Sequence, residues 1–427
     1  MSLTSYKNIA VLGIGISGKA ALRLLSTKKS GEQYLFAFDS RELDTWSNEL
    51  PEGVICYHQD MLEANLSRGD LLVVSPGVDT RDSLFTQLKD AGVDIISEIE
   101  LASWWIEAPI IGITGTNGKT TTVSFLGECF KAAGVKVFVG GNIGIPLCEA
   151  LIQQEFELYL LELSSFQLER LLKLKIDYPM ILNLSESHME RYANMEEYVL
   201  AKSNIFRQHS DNEEIFIRKE DFNNFKKIFR SIKGKFFYID DQAAESAFLS
   251  NFDIQKIKLI GNHNLNNLKS AWVLFNKICA DRTDAFKKTL YSFTGLEHRM
   301  EELQTSRKYR VINDTKSTNL DSTWAALCSF SESVHLCLGG KLRNDQLDIN
   351  LLNKIMERCH SISLFGEAKN YLLTHTPREK LISINDFYEL GSLSIQADVF
   401  LFSPGFPSFD QFKNYAHRGS QFKQLFS

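Results

Sequence analysis

Two glycine-rich turns hold the residues of this chain best suited to chemistry. In the stronger one, Gly115-Thr116-Asn117-Gly118-Lys119-Thr120-Thr121 follows the apolar run Ile110-Ile111-Gly112-Ile113. Backbone N–H groups in such a turn can cradle phosphates, a lysine can reach the terminal phosphates, and a hydroxyl at a helix start can ligate Mg²⁺. The strict spacing G-x-x-x-x-G-K-[ST] fails, because the position that should hold the first glycine is Ile113 and the nearby glycines are Gly112 and Gly115. The order of strand, glycine turn and Lys119-Thr120 at a helix start keeps the mechanism, so the segment predicts a grip on phosphates.

The other turn, Gly13-Ile14-Gly15-Ile16-Ser17-Gly18, matches G-x-G-x-x-G after the strand-like Ile9-Ala10-Val11-Leu12. Asp39 trails it by about twenty residues, as in dinucleotide sites. Such glycines let the backbone approach any diphosphate at a helix N-terminus, so a nicotinamide cofactor and another nucleotide diphosphate both fit, and a purely structural turn is the plainer alternative. Glu162 ends the run Leu158-Tyr159-Leu160-Leu161, where a nucleotide-binding sheet offers a carboxylate to Mg²⁺; an exposed strand-end cap is the other reading. His188 follows Ile181 to Leu184 as a metal or substrate ligand, although a single histidine is more often structural.

Positioning these residues requires parallel sheets. Short apolar runs at Ile9 to Leu12, Tyr34 to Phe38, Val54 to Tyr57 and Leu71 to Val74 alternate with helix-like stretches, the pattern of a parallel sheet with crossover helices. A second alternation starts at Pro109, with a helix over 119–133 and strands at Leu158 to Leu161, Met180 to Leu182 and Glu214 to Ile217. A third follows Gly295: Tyr309 to Ile312, a helix from Leu320, then Val334 to Leu338, Ile362 to Phe365 and Val399 to Phe402. At 427 residues the chain is longer than one hydrophobic core usually grows. The expectation is an α/β protein of three domains, 1–97, 98–297 and 298–427.

Composition excludes several function classes. The formal net charge of -6 disfavours nucleic acid and anionic lipid as partners. Basic residues do gather from Arg218 to Lys235, but interleaved phenylalanines read as a solvated surface helix with a buried stripe. Seven scattered cysteines without a C-x-x-C pair suggest neither a disulfide framework nor a zinc site. No basic leader precedes the first strand and no apolar run reaches spanning length, so a cytoplasmic location without membrane insertion is expected.

Three segments together are familiar: Gly115 to Thr121, Glu162-Leu163-Ser164-Ser165-Phe166-Gln167-Leu168, and Asn313-Asp314-Thr315-Lys316-Ser317-Thr318-Asn319. They resemble the Mur ligases of peptidoglycan precursor synthesis. His188-Met189-Glu190-Arg191-Tyr192 and Ser408-Phe409-Asp410-Gln411-Phe412-Lys413-Asn414-Tyr415, followed by Arg418-Gly419, are similar to the D-glutamate-adding branch of that family. The resemblance spans residues 13 to 419.

It implies an N-terminal Rossmann-like domain holding a UDP-sugar, a central P-loop-type ATPase domain and a C-terminal Rossmann-like domain for the amino acid. The implied reaction is ATP-dependent ligation of D-glutamate to UDP-N-acetylmuramoyl-L-alanine through an acyl phosphate, by a monomer. Gly15, Ile16, Ser17, Ser40 and Arg41 would face the UDP part, with Asn142 and Ser164 on the substrate side of the central domain. For ATP the resemblance implies Gly115, Thr116, Asn117, Gly118, Lys119, Thr120 and Thr121, with Asn264, Asn267, Arg299 and Asp314. Two Mg²⁺ ions are implied: Thr120 and Glu162 match one site, His188 the other, and Lys202 matches a lysine carried as a carbamate. Lys119, His188 and Lys202 are the implied catalytic residues. Read from the sequence alone, Lys202 is a surface charge.

For D-glutamate the resemblance implies Lys316, Thr318, Ser408, Phe409 and Tyr415. Three positions depart from the family pattern. Arg343, in Gly339-Gly340-Lys341-Leu342-Arg343, stands where a lysine contacts the D-glutamate side chain, and its planar fork can bind a carboxylate bidentately. Ser187 replaces the usual aspartate before His188, and Gly405-Phe406-Pro407 replaces smaller residues before Ser408.

Overall fold

The structure is a computed structural model in which residues 3–78, 82–189, 191–259, 261–342 and 348–427 are described. The chain forms two compact units, Met1–Ile254 with Asn267–Leu290, and Gln255–Asn266 with Tyr291–Ser427.

The first unit contains two sheets. One runs β1 (Asn8–Leu12), β2 (Tyr34–Asp39), β3 (Val54–His58), β4 (Leu71–Val74) and β5 (Asp94–Ser97) in the spatial order β3-β2-β1-β4-β5. Every pairing in it is parallel. The other runs β6 (Ile110–Thr114), β7 (Val137–Gly141), β8 (Leu158–Glu162), β9 (Tyr178–Ile181), β10 (Glu214–Ile217) and β11 (Lys235–Tyr238), ordered β11-β10-β9-β6-β8-β7 and again wholly parallel. β1, β4, β6 and β8 are continuous apolar runs because helices cover both faces of such sheets.

In both sheets the winding reverses beside the first strand. β1 lies between β2 and β4, and β6 lies between β8 and β9. Ligands of open α/β sheets bind outside the strand carboxyl ends at such a reversal. The two glycine turns follow β1 and β6, so each stands at one.

The segment after β5 is tied into the second sheet's layer. Glu98, on the helix Glu98–Ser103, accepts the Cys148 N–H at 2.6 Å, at the start of the helix Leu147–Gln153. Glu100 accepts the N–H groups of Leu172, Lys173 and Leu174 at 2.9 to 3.0 Å. Burial pushes the Glu98 carboxyl up to about 7, against the hydrogen bonds from Cys148 and Leu147, which favour the charged form.

The second unit holds β12 (Glu301–Leu303), β13 (Arg310–Asn313), β14 (Val334–Gly339), β15 (Ser361–Phe365) and β16 (Val399–Gly405), ordered β12-β13-β16-β14-β15. Only the β12–β13 pairing in it is antiparallel.

The expected strands are present within two residues at either end, except that β16 runs three residues beyond the expected Phe402, to Gly405. β5, β7, β11 and β12 were not anticipated. The Arg218–Lys235 stretch forms two short helices, Lys219–Asn224 and Lys226–Phe229, rather than one; Phe229 is fully buried and Phe222 and Phe225 pack against the core. No helix among the described residues is long and apolar enough to cross a membrane.

Candidate active site

The turn after β6 is shaped by two glycines at positive φ, Gly115 at 153° and Gly118 at 82°. Gly118 caps the helix Lys119–Ala132, and a Cβ there would collide with the Asn267 carboxamide, so the left-handed backbone and the close approach both require glycine. The Lys119 Nζ folds back on the turn and donates to the carbonyl oxygens of Gly115 (2.8 Å) and Thr116 (2.9 Å). Thr120 and Thr121 occupy the first helical turn, where N–H groups have no intrahelical partner and the helix dipole favours an anion.

A residue that sequence reasoning missed, just after β9, holds this turn. Asn183 accepts the Thr116 N–H on its carbonyl (2.9 Å) and the Asn117 N–H on its Oδ1 (2.8 Å), and its Nδ2 returns a bond to the Asn117 carbonyl (2.9 Å). Thr116 Oγ1 adds contacts to the Ser185 carbonyl and the Tyr198 hydroxyl. The only signal in the sequence was an amide directly after an apolar strand.

Glu162 ends β8 but is no exposed cap: it is 2% exposed. Its Oε1 accepts from Asn142 Nδ2 at 2.9 Å, and Asn142 N–H donates to its backbone carbonyl. Its Oε2 is buried without a hydrogen-bond partner. A buried carboxylate oxygen of this kind calls for a cation or a water-bound ion. Ser164 forms a capping box with Gln167 at the start of the helix Ser165–Leu168.

Lys202 corrects the surface-charge expectation most sharply. On the helix Met195–Ser203 it is 2% exposed, with Nζ 3.0 Å from the Gly115 carbonyl and 3.3 Å from Thr114 Oγ1, over the Tyr198 ring. Burial holds its amine well below the usual lysine range, and the Lys119 charge pushes the same way, against Glu162. The structure thus brings Lys119, Glu162, Lys202 and the turn 115–121 together. His188 adopts φ 59°, exposed, with its ring 5.1 Å from Phe166 and 6.4 Å from Tyr198. Ser187, where an aspartate was expected, bonds Tyr198 instead. No group of three His, Cys, Asp or Glu side chains among the described residues could hold a metal alone.

At the first glycine turn, Ile16 and Ser17 begin the helix Ile16–Lys28, and Gly15 caps it. Asp39 is not available to a ribose. Its Oδ2 accepts the Ile14 N–H at 2.6 Å, and Arg41 grips both carboxylate oxygens at 2.8 Å while reaching the Ile14 carbonyl. The Arg41 hydrogen bonds draw the Asp39 carboxyl down to about 2 despite its burial. The nicotinamide reading therefore loses its ribose acid. Ser40 is exposed, and its carbonyl meets a His58 ring nitrogen.

In the second unit, Asp314 follows β13 and is 3% exposed; it accepts Ser317 Oγ (2.6 Å), Ser403 Oγ (2.8 Å) and the Met300 N–H (3.2 Å). Burial raises its carboxyl to about 6, against the hydroxyl bonds and the Arg299 charge. Lys316 Nζ lies 5.7 Å from the Tyr415 ring centre. Thr318 is half-buried, Ser408 buried, and Phe409 and Tyr415 exposed. Arg418, quoted in the motif without a role, is the organiser here. Fully buried, it donates to Thr315 Oγ1, the Thr315 carbonyl and the Phe406 carbonyl, each at 2.9 Å. Asn264 of this unit and Asn267 of the first are both buried on the helix Asn262–Ile278. Arg343 lies outside the described residues, as does Glu190.

Residues 113–275 match the Mur ligase middle domain, and residues 7–97 match the N-terminal domain of the MurD-like Mur ligases. UDP-N-acetylmuramoylalanine--D-glutamate ligase of Aliivibrio fischeri (strain MJ11) is 32% identical over 98% of this chain and 97% of its own length. The enzyme of that name from Haemophilus influenzae (strain Rd) is also 32% identical, over 100% and 99%. Among solved structures, MurF ligase from Thermotoga maritima in complex with ADP aligns with a TM-score of 0.57 at 16% identity, covering 85% of this chain and 95% of its own. UDP-N-acetylmuramate-alanine ligase MurC from the same organism aligns at 0.56 and 16% over 98% of each chain. The chain belongs to the Mur ligase family, with an N-terminal domain of the MurD-like kind.

Proposed function

We infer that this chain ligates D-glutamate to UDP-N-acetylmuramoyl-L-alanine at the expense of ATP, in peptidoglycan precursor synthesis. The relatives that match over their whole length carry the substrate assignment. The observation in the fold that carries the chemistry is the meeting of the Gly115–Thr121 turn with Glu162 and a buried, charge-poor Lys202 amine.

A carboxylate attacking a triphosphate brings anion against anion, so positioning and electrostatics supply most of the rate. Lys119, now on the turn carbonyls, sits where its charge meets the terminal phosphates. The substrate's alanyl carboxylate attacks the γ-phosphorus, the bond to ADP breaks, and an acyl phosphate forms. The D-glutamate amine then attacks that carbonyl and phosphate leaves, with the amine losing a proton. The residues fit Mg²⁺: Thr120 and the unpaired Glu162 Oε2 are hard oxygen donors, and Mg²⁺ commonly takes only one or two protein oxygens beside phosphates and water. Thr120 and Glu162 would hold such an ion where it would supply positive charge to the transferring phosphoryl group. His188 would serve a second ion, and Lys202 would act as a carbamate: its neutral amine adds to CO₂, the N–C bond forms and a proton leaves.

In the same reading 1–97 holds the UDP part through Gly15, Ile16, Ser17, Ser40 and Arg41, 98–297 binds ATP, and 298–427 holds D-glutamate through Lys316, Thr318, Arg343, Ser408, Phe409 and Tyr415. Asn142 and Ser164 line the substrate side; Asn264, Asn267, Arg299 and Asp314 serve ATP. The enzyme acts as a cytoplasmic monomer. Mass spectrometry of an incubation with ATP, Mg²⁺, UDP-N-acetylmuramoyl-L-alanine and a panel of amino acids tests the assignment. A product with D-glutamate alone is expected; phosphate release with L-alanine or lysine in its place overturns it.

A further inference from the structure

Glu169 and Arg170 follow the short helix Ser165–Leu168 and send their side chains to different loops. The Arg170 guanidinium, 7% exposed, donates to the carbonyl oxygens of Ser75 (3.3 Å) and Val78 (2.7 Å), just after β4. Those two residues also enclose the first glycine turn. Ser75 Oγ donates to the Gly13 carbonyl at 2.5 Å, and a Cβ on Gly13 would lie 2.8 Å from Val78 Cγ2 and 3.0 Å from the Ser75 Cβ. Arg170 therefore reaches across from the second sheet to the residues that mould a turn at the switch point of the first.

Glu169 faces the other way. It accepts Arg191 at 2.6 Å and the Tyr192 hydroxyl at 2.5 Å. Arg191 stacks 4.4 Å over Phe166, and the Arg191 and Tyr192 N–H groups both donate to the His188 carbonyl. That closes the turn in which His188 takes its positive φ.

We propose that Arg170 is a positioning residue for nucleotide-sugar binding, which fixes the diphosphate turn through Ser75 and Val78, while Glu169 separately fixes the His188 turn. The proposal rests on the reading that the first turn holds the UDP part. The two carbonyls take up part of the charge of a buried guanidinium, and removing it takes this donor from the Val78 carbonyl and leaves the Ser75 carbonyl only the Val78 N–H, in a turn whose shape must be set before the ligand arrives.

Isothermal titration of the full chain with UDP alone, without ATP or Mg²⁺, separates the two arms. Arg170→Met is expected to weaken UDP about tenfold and to raise KM for the nucleotide sugar similarly, with kcat and KM for ATP within about twofold. Arg170→Lys should recover part of the loss. Ser75→Ala removes the hydroxyl bonded to the Gly13 carbonyl while keeping the carbonyl that Arg170 grips, and should weaken UDP about threefold; if Arg170→Met does not fold, Arg170→Lys decides the matter, with a loss of a few fold in UDP affinity expected. Glu169→Gln should keep UDP affinity and lower kcat. Unchanged UDP affinity in folded Arg170→Met or in Ser75→Ala overturns the proposal, as does an equal loss of UDP affinity in Glu169→Gln. An unmodified chain that binds UDP yet makes no D-glutamate product overturns the substrate assignment alone.

Discussion

The Lys202 amine lies 3.0 Å from the carbonyl oxygen of Gly115, the first glycine of the phosphate turn. A buried ammonium beside Lys119 is disfavoured by burial first and by like charge second. The neutral amine is the form that adds CO₂, so the site is chemically prepared for a carbamate. Lys202→Ala should lose at least about a hundredfold in kcat, with partial recovery in excess formate or acetate. A ¹³C signal in the carbamate region after equilibration with ¹³C-bicarbonate, lost in the variant, is the second readout. No rescue together with no signal would remove the carbamate from the mechanism.

Asn183 makes three hydrogen bonds to the turn that Lys119 closes. Asn183→Ala should destabilise the fold by about 1 kcal/mol, since the Asn117 N–H and carbonyl lose their side-chain partners while the Thr116 N–H keeps the backbone carbonyl. KM for ATP should rise while UDP affinity holds. Equal effects on both nucleotides would mean that Asn183 supports the fold generally and not this turn.

Glu98 gives a pH dependence with a definite sign. Its carboxyl keeps a proton up to about pH 7 in the folded chain, against 4.5 for an ordinary glutamate. Between these values the folded chain binds more protons than the unfolded one, so this group's contribution to stability falls as pH rises and is level above about 7. Glu98→Gln mimics the protonated acid and should gain on the parent by up to ~3 kcal/mol from pH 4.5 to 8. Urea midpoints at pH 5 and pH 8 measure it; the same difference at both would sink the idea.

Arg418 ties Thr315 to Phe406, and so joins two of the segments that carry the amino-acid residues of the second unit. Burial lowers its guanidinium to about 10, still charged at neutral pH. Arg418→Met should raise KM for D-glutamate more than KM for ATP and cost about 2–4 kcal/mol in unfolding experiments. A uniform loss of kcat with unchanged KM values would contradict that role.

The strands were legible because parallel sheets bury both faces and so leave continuous apolar runs, as in Leu71 to Val74 and Leu158 to Leu161. β11 was not, since Lys235-Phe236-Phe237-Tyr238 is an edge strand of mixed burial, and β12 is three residues long. At the site, the glycine turn announced itself through residue types that few other structures need. Lys202 did not, and Glu162, read as a Mg²⁺ carboxylate, left an exposed cap as the alternative: whether a charge is buried depends on which helix lands against which strand end, and no local spacing encodes that. Asn183 and Arg170 act on residues 66 to 95 positions away, beyond the reach of any motif.

Asp39, clamped by Arg41 and by the Ile14 N–H, shows what such long-range ties can do to a motif. With its charge cancelled from within, the first turn presents a diphosphate with a helix N-terminus and no opposing anion. Six glycine-spaced letters and an acid then describe a frame rather than a cofactor. One backbone shape can serve redox enzymes and ligases alike, and a single arginine two residues after the acid here takes up the carboxylate that a ribose would need.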